Sequence, residues 1–189
     1  LSGFQYFGME PSLADPSSRI QQALQGVRAI VFPVDGVLNG PRMTYDSKGG
    51  EIISISNRDA SALKEGLRQG LLVAVLSDRD AGCFRPVLES LGITALYLDA
   101  SGLLDAYEAF RQDYSLQDEE CAYIGDDIAD VPVLEKAGFP VTPIDGADYL
   151  RNRVGYISAY EGGKGCIREV VEMVLQQQGK WPFADNRQE

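Results

Sequence analysis

The chain predicts an α/β fold built on a parallel sheet. Two patterns carry that expectation. Short apolar runs alternate with stretches of helical three/four spacing, and the strongest run, Arg28-Ala29-Ile30-Val31-Phe32, passes directly into Pro33-Val34-Asp35-Gly36. In chain order, residues 1–18 show no periodicity and read as a loose arm, and 19–25 suits a short lead-in helix. Strands are expected at 29–32, 71–76, 95–98, 121–124, 140–141 and 155–157, and helices at 59–69, 82–91, 103–113, 131–137 and 165–177. Ala62-Leu63-Gly66-Leu67 and Val170-Val171-Val174-Leu175 have the spacing of helix faces turned toward a sheet. One insert differs: the stretch 42–56, with Gly49-Gly50 at its turn, reads as a β-hairpin standing over the carboxyl ends of the strands. A single domain over 19–183 is expected, with a tail at 184–189.

Composition narrows the function classes. With 189 residues, 44% apolar, 24% charged and a formal charge of -11, the chain is poorly suited to capture nucleic acid or an anionic membrane. No run approaches the ~18 apolar residues of a membrane span, and the first residues lack a basic region followed by an apolar core. Cys83, Cys121 and Cys166 show no metal-ligand spacing and suit reduced thiols in a cytoplasmic protein. Histidine is absent, which removes Ser-His-Asp and Cys-His mechanisms and His-based zinc sites.

Five segments at strand or helix ends could carry chemistry. Pro33-Val34-Asp35-Gly36 has the form of an aspartate nucleophile loop whose first aspartate is a proline, and a pyrrolidine ring can neither attack phosphorus nor ligate a metal. Ile124-Gly125-Asp126-Asp127-Ile128-Ala129-Asp130 clusters carboxylates after a strand, which suits either a hard cation such as Mg²⁺ or capping of the next helix. Ser77, in Leu76-Ser77-Asp78-Arg79-Asp80, offers a phosphate hydroxyl or a turn cap. Gly162-Gly163-Lys164-Gly165 forms an anion-binding loop or a flexible turn. Arg58, at a helix start where the dipole disfavours a cation, is placed to grip a carboxylate or phosphate.

Val34-Asp35-Gly36-Val37-Leu38, Arg58-Asp59, Ala122-Tyr123-Ile124-Gly125-Asp126-Asp127, Asp130, Gly162-Gly163-Lys164-Gly165, Arg168-Glu169 and Gly179-Lys180-Trp181 occur in this order. Together they resemble the haloacid dehalogenase (HAD) superfamily, in its cap-less 3-deoxy-D-manno-octulosonate 8-phosphate (KDO 8-phosphate) phosphatase branch. The resemblance covers about residues 27–181. It implies a doubly wound α/β sheet, a homotetramer with packed hairpins, a sugar-phosphate or 2-keto sugar acid ligand, and Mg²⁺-assisted transfer through an aspartyl-phosphate. It assigns Asp35 as acid/base, Asp126 and the Asp35 backbone carbonyl as metal ligands with Asp127 and Asp130 in support, and Ser77, Arg58, Lys164, Gly162 and Gly163 as substrate or phosphate contacts.

Two positions depart from that pattern. Pro33 falls at the nucleophile and removes a metal ligand, and Leu103 falls where the family carries a lysine before Ala106-Tyr107-Glu108. No Lys or Arg occurs between Arg85 and Arg111, so no shift of alignment restores the charge. Losing a covalent nucleophile costs on the order of a million-fold in turnover. Losing a charge-assisted phosphate contact adds ~2–3 kcal/mol. The expectation is a phosphatase-like protein that has lost hydrolysis, with Mg²⁺ binding weakened, serving as an oligomeric or ligand-binding module linked to acidic-sugar metabolism. The alternatives are a Mg²⁺-dependent phosphatase in which Asp35 or Asp99 directs water without a covalent intermediate, and a sensor of a sugar phosphate or 2-keto acid.

Overall fold

The computed structural model describes residues 16–183. Its elements are α1 (Pro16–Gly26), β1 (Ala29–Pro33), β2 (Thr44–Tyr45), β3 (Glu51–Ile52), α2 (Asn57–Arg68), β4 (Leu72–Leu76), α3 (Arg85–Ser90), β5 (Ala95–Tyr97), α4 (Leu103–Tyr114), β6 (Cys121–Ile124), α5 (Val131–Leu134), β7 (Phe139–Thr142), β8 (Tyr156–Ile157) and α6 (Cys166–Gln177). Six strands form one sheet in the order β5-β4-β1-β6-β7-β8, every pairing parallel, and β2 and β3 form a separate antiparallel hairpin.

All five residues of β1 are buried, and its alternate side chains serve two cores. Ile30 and Phe32 pack with Leu63 of α2, Leu88 of α3 and Val170, Val171 and Val174 of α6. Ala29 and Val31 pack on the other side with Tyr107 and Phe110 of α4 and Val133 and Leu134 of α5. Helices on both faces make the sheet doubly wound, and a strand covered on both faces reads as an unbroken apolar run. From β1 the chain proceeds through β4 to β5 on one side, while β6, β7 and β8 continue on the other. The carboxyl ends of β1 and β6 therefore flank the switch point, where open α/β sheets place their ligands.

Several boundaries differ from the sequence reading. Helix α1 begins at Pro16, so 16–18, expected in the arm, are helical, while 1–15 and the tail 184–189 lie outside the described residues. Helix α5 ends at Leu134 rather than 137, and β7 extends over four residues despite Pro140. Among the described residues, no helix is long and apolar enough to cross a membrane.

Candidate active site

The loop after β1 is built by close backbone packing. Pro33 is buried in an extended conformation (φ -79°, ψ 160°), opposite Leu76 of β4. Gly36 follows at φ +83°, and its N–H donates to the Gly40 carbonyl at 2.8 Å. A Cβ on Gly36 would lie 1.8–2.2 Å from the Asp126 carboxylate, so glycine is what lets the β1 and β6 loops meet. From behind, Gly163 N–H donates to the Val37 carbonyl at 2.7 Å, and a Cβ on Gly162 would sit 1.8 Å from the Gly36 carbonyl oxygen. Gly162 and Gly163 thus buttress the Asp35 loop.

The β6 loop supplies an acid pair, Asp130 buried and Asp126 half-buried. Asp130 accepts from the Tyr123 hydroxyl at 2.6 Å and from the N–H groups of Asp126 and Asp127 at 2.9 and 3.1 Å. Burial pushes Asp126 up to about 7, reinforced by the charges of Asp130 and Asp127, and pushes Asp130 up to about 6 against the hydrogen bonds it accepts. Asp127 accepts from Ile128 N–H at 2.8 Å and from the Tyr149 hydroxyl at 2.7 Å, so it caps the following turn.

Asp35 is gripped by Arg79, whose Nε and second terminal nitrogen donate to its two carboxylate oxygens at 2.6 and 2.8 Å. The same guanidinium donates to Glu51 of the hairpin at 2.7 and 3.0 Å, and these bonds hold Glu51 below the usual carboxylate range. Sequence reasoning did not single out Arg79, because its partners stand 44 and 28 positions away. The Ser77 hydroxyl, read as a phosphate contact, donates to the Arg79 carbonyl at 2.8 Å and accepts from Arg79 N–H at 3.2 Å.

These residues surround a cleft of about 230 Å³ at the switch point, lined by Pro33, Asp35, Gly36, Pro41, Ser77, Asp78, Leu103, Asp126, Asp127, Ala129 and Asp130. Five of these are aspartates and none is Lys or Arg. Leu103 is 5% exposed at the start of α4, within the apolar core of that face.

The structure does not bring Arg58 and Lys164 into this cleft. They line a second one of about 670 Å³ with Tyr160, Arg168, Glu169 and Glu172, and Lys164 pairs with Glu161 at 2.5 Å. Other motif residues hold the framework. Buried Asp59 accepts from Gly165 and Arg168 N–H at 3.3 and 2.9 Å, capping α6, and burial raises its pKa. Glu169 accepts from the hydroxyls of Tyr156 and Ser158 and from Ala159 N–H. Asp99, the other residue considered for directing water, is exposed and does not line the acidic cleft.

The donor set does not fit an intact magnesium site. Among the described residues, no group of three or more acidic, cysteine or histidine side chains is disposed to hold a metal ion. Asp130 is committed to Tyr123 and two backbone amides, and one oxygen of Asp127 to Tyr149 and Ile128. Asp126, the second oxygen of Asp127 and the Asp35 backbone carbonyl remain, beside Pro33, whose ring offers no metal ligand.

The doubly wound sheet, the Asp-Gly loop closing β1 and the acid cluster closing β6 define a HAD superfamily α/β domain. No family model matches the chain. It is 34% identical over 169 residues to the 3-deoxy-D-manno-octulosonate 8-phosphate phosphatase of Haemophilus influenzae, covering 89% of this chain and 94% of that one. A cobalt-bound structure of the Haemophilus influenzae enzyme superposes with a TM-score of 0.80 at 34% identity, covering 84% of this chain and 93% of that one. The Moraxella catarrhalis phosphatase, in complex with magnesium, phosphate and KDO, superposes with a TM-score of 0.81 at 27% identity, covering 86% and 93%. The chain belongs to the 3-deoxy-D-manno-octulosonate 8-phosphate phosphatase family.

Proposed function

We propose that this chain is a KDO 8-phosphate phosphatase-family protein that no longer hydrolyses phosphomonoesters by the aspartyl-phosphate route. The carrying observation is Pro33, buried at the end of β1 on the wall of the acidic cleft. Its ring offers phosphorus no nucleophile. The surroundings point the same way: the cleft is lined by five aspartates with no Lys or Arg, and apolar Leu103, which the motif resemblance places at the family's lysine, is on its wall. Arg79 compensates Asp35 alone, and the charge left on the other carboxylates disfavours a phosphate dianion. Asp35, the acid/base of the family pattern, has both oxygens held by Arg79. When bound in an intact member, magnesium neutralises charge on the transferring group. Here Asp126, one oxygen of Asp127 and the Asp35 carbonyl would be left to hold it, with no carboxylate at position 33.

What the fold retains suits a cytoplasmic assembly or ligand-binding module of acidic-sugar metabolism. Met43, Tyr45 and Ile52 of the hairpin are each at least half exposed, an apolar surface consistent with the family's hairpin-packed tetramer. The KDO bound by the Moraxella protein makes a 2-keto sugar acid the first ligand to try.

The relatives are named as phosphatases, which favours hydrolysis of KDO 8-phosphate as the second reading. Phosphate release from KDO 8-phosphate and other sugar phosphates, with magnesium, tests both. No release above the protein-free rate is expected. Magnesium-dependent release by the natural protein overturns the proposal.

A further inference from the structure

We infer that Arg79 is the positioning residue that holds the hairpin over the acidic cleft, with Glu51 as its partner on the hairpin. The hairpin has little else to fix its outer part. Its strands pair only Thr44 with Ile52 and Tyr45 with Glu51, and a two-stranded hairpin alone is marginal in water. Its root is anchored: Ile53 and Ile55 pack against the core, and Ser54 N–H donates to Asn39 Oδ1 at 3.0 Å. Beyond the root, Met43, Tyr45 and Ile52 are exposed. Among the described residues, Glu51–Arg79 is the salt bridge joining this hairpin to the strand-end loops.

Arg79 is itself mounted rigidly. Ser77 laces it to the sheet, donating its N–H to the Tyr97 carbonyl at 2.8 Å and accepting from Ala100 N–H at 2.9 Å, while the Ser77 hydroxyl closes the turn onto Arg79. The guanidinium forks to Asp35 on one side and Glu51 on the other. A planar, pre-organised fork loses little freedom in making both contacts, and the Glu51 side chain is 11% exposed, so water screens the pair weakly. One cation therefore ties the loop of the acid/base position to the hairpin. This tie does not depend on whether the cleft catalyses.

The test is amide hydrogen exchange across 43–54 in the full chain, comparing the natural protein with Glu51→Gln, Arg79→Met, their combination and Arg79→Lys. Each of the first two variants is expected to speed exchange in the hairpin about tenfold, in line with the loss of a charge-assisted pair. Exchange in β1 should stay unchanged. In the Arg79→Met background, Glu51→Gln should add nothing, since the pair is already gone. Arg79→Lys, which keeps the charge without the fork, should restore part of the protection. Unchanged hairpin exchange in Glu51→Gln, or additive effects of the two substitutions, overturns the inference. Should Arg79→Met not fold, Glu51→Gln and Arg79→Lys decide it on the same readout.

Discussion

Replacing Asp126 by asparagine removes the half-buried carboxylate beside buried Asp130 while keeping the shape of the side chain. The folded protein holds a proton on Asp126 up to about pH 7, whereas an ordinary aspartate releases it near 3.8. A group raised in this way contributes stability that is fully present below its unfolded value and is lost as pH rises through its folded value. Each pH unit between the two values is worth about 1.4 kcal/mol, which sets a ceiling of about 4 kcal/mol. Asp126 reaches the cleft and shares its charge with Asp130, so solvent screening and coupling reduce the figure to about 2 kcal/mol. Urea unfolding in chelator-containing buffer, from about pH 4 to about pH 8, reads it directly. The natural protein should lose about 2 kcal/mol more than Asp126→Asn across that window, leaving the variant the more stable at the upper end. Asp59, also raised by burial, is common to both proteins and cancels in the comparison. Glu51 and Glu108, both lowered by their cationic partners, lose their contribution only as pH falls through those lowered values. Parallel curves, or a variant weaker at the upper pH, would refute the reasoning.

Gly36→Ala places a methyl group against the Asp126 carboxylate at φ +83° and should cost about 1–3 kcal/mol in denaturant unfolding; combining it with Asp126→Ala should recover only the steric share. Asp59→Ala leaves the N–H groups of Gly165 and Arg168 at the start of α6 without their acceptor, and should lower stability by about 1–2 kcal/mol. Magnesium at about 10 mM should leave the melting temperature of the natural protein unchanged and raise that of Pro33→Asp, since only a ligand bound to the folded state stabilises it. A comparable rise in both proteins would show that the proline position is not needed for metal binding.

Much of the fold was legible because its central strands are buried on both faces: 29–32 and 121–124 could only read as unbroken apolar runs. The loops that follow them carried the site signal, since Asp35-Gly36 and the carboxylates at 126–130 meet at the switch point. Local sequence could not show how polar side chains choose partners across the chain. Arg79 lay within a quoted motif, yet its function follows from Asp35 and Glu51 arriving from other elements. The hydroxyl of Ser77 and the glycines 162–163 were read toward a phosphate, while in the fold they close a turn and buttress a loop. Asp59 and Glu169 look like chemistry in the sequence because both are acidic and lie in motifs, but their carboxylates satisfy backbone and hydroxyl donors around α6. Arg58 and Lys164 share a different cleft from the aspartates, a separation that depends on how α2 and α6 pack.

The central claim is that the chemistry ends at Pro33. Its most direct test is phosphate release from KDO 8-phosphate with magnesium by the natural protein, Pro33→Asp, and Pro33→Asp combined with Leu103→Lys. The account predicts no release by the natural protein, recovery of turnover in Pro33→Asp, and a further gain when the lysine is added, against a deficit on the order of a million-fold from the missing nucleophile. Magnesium-dependent turnover by the natural protein would contradict it.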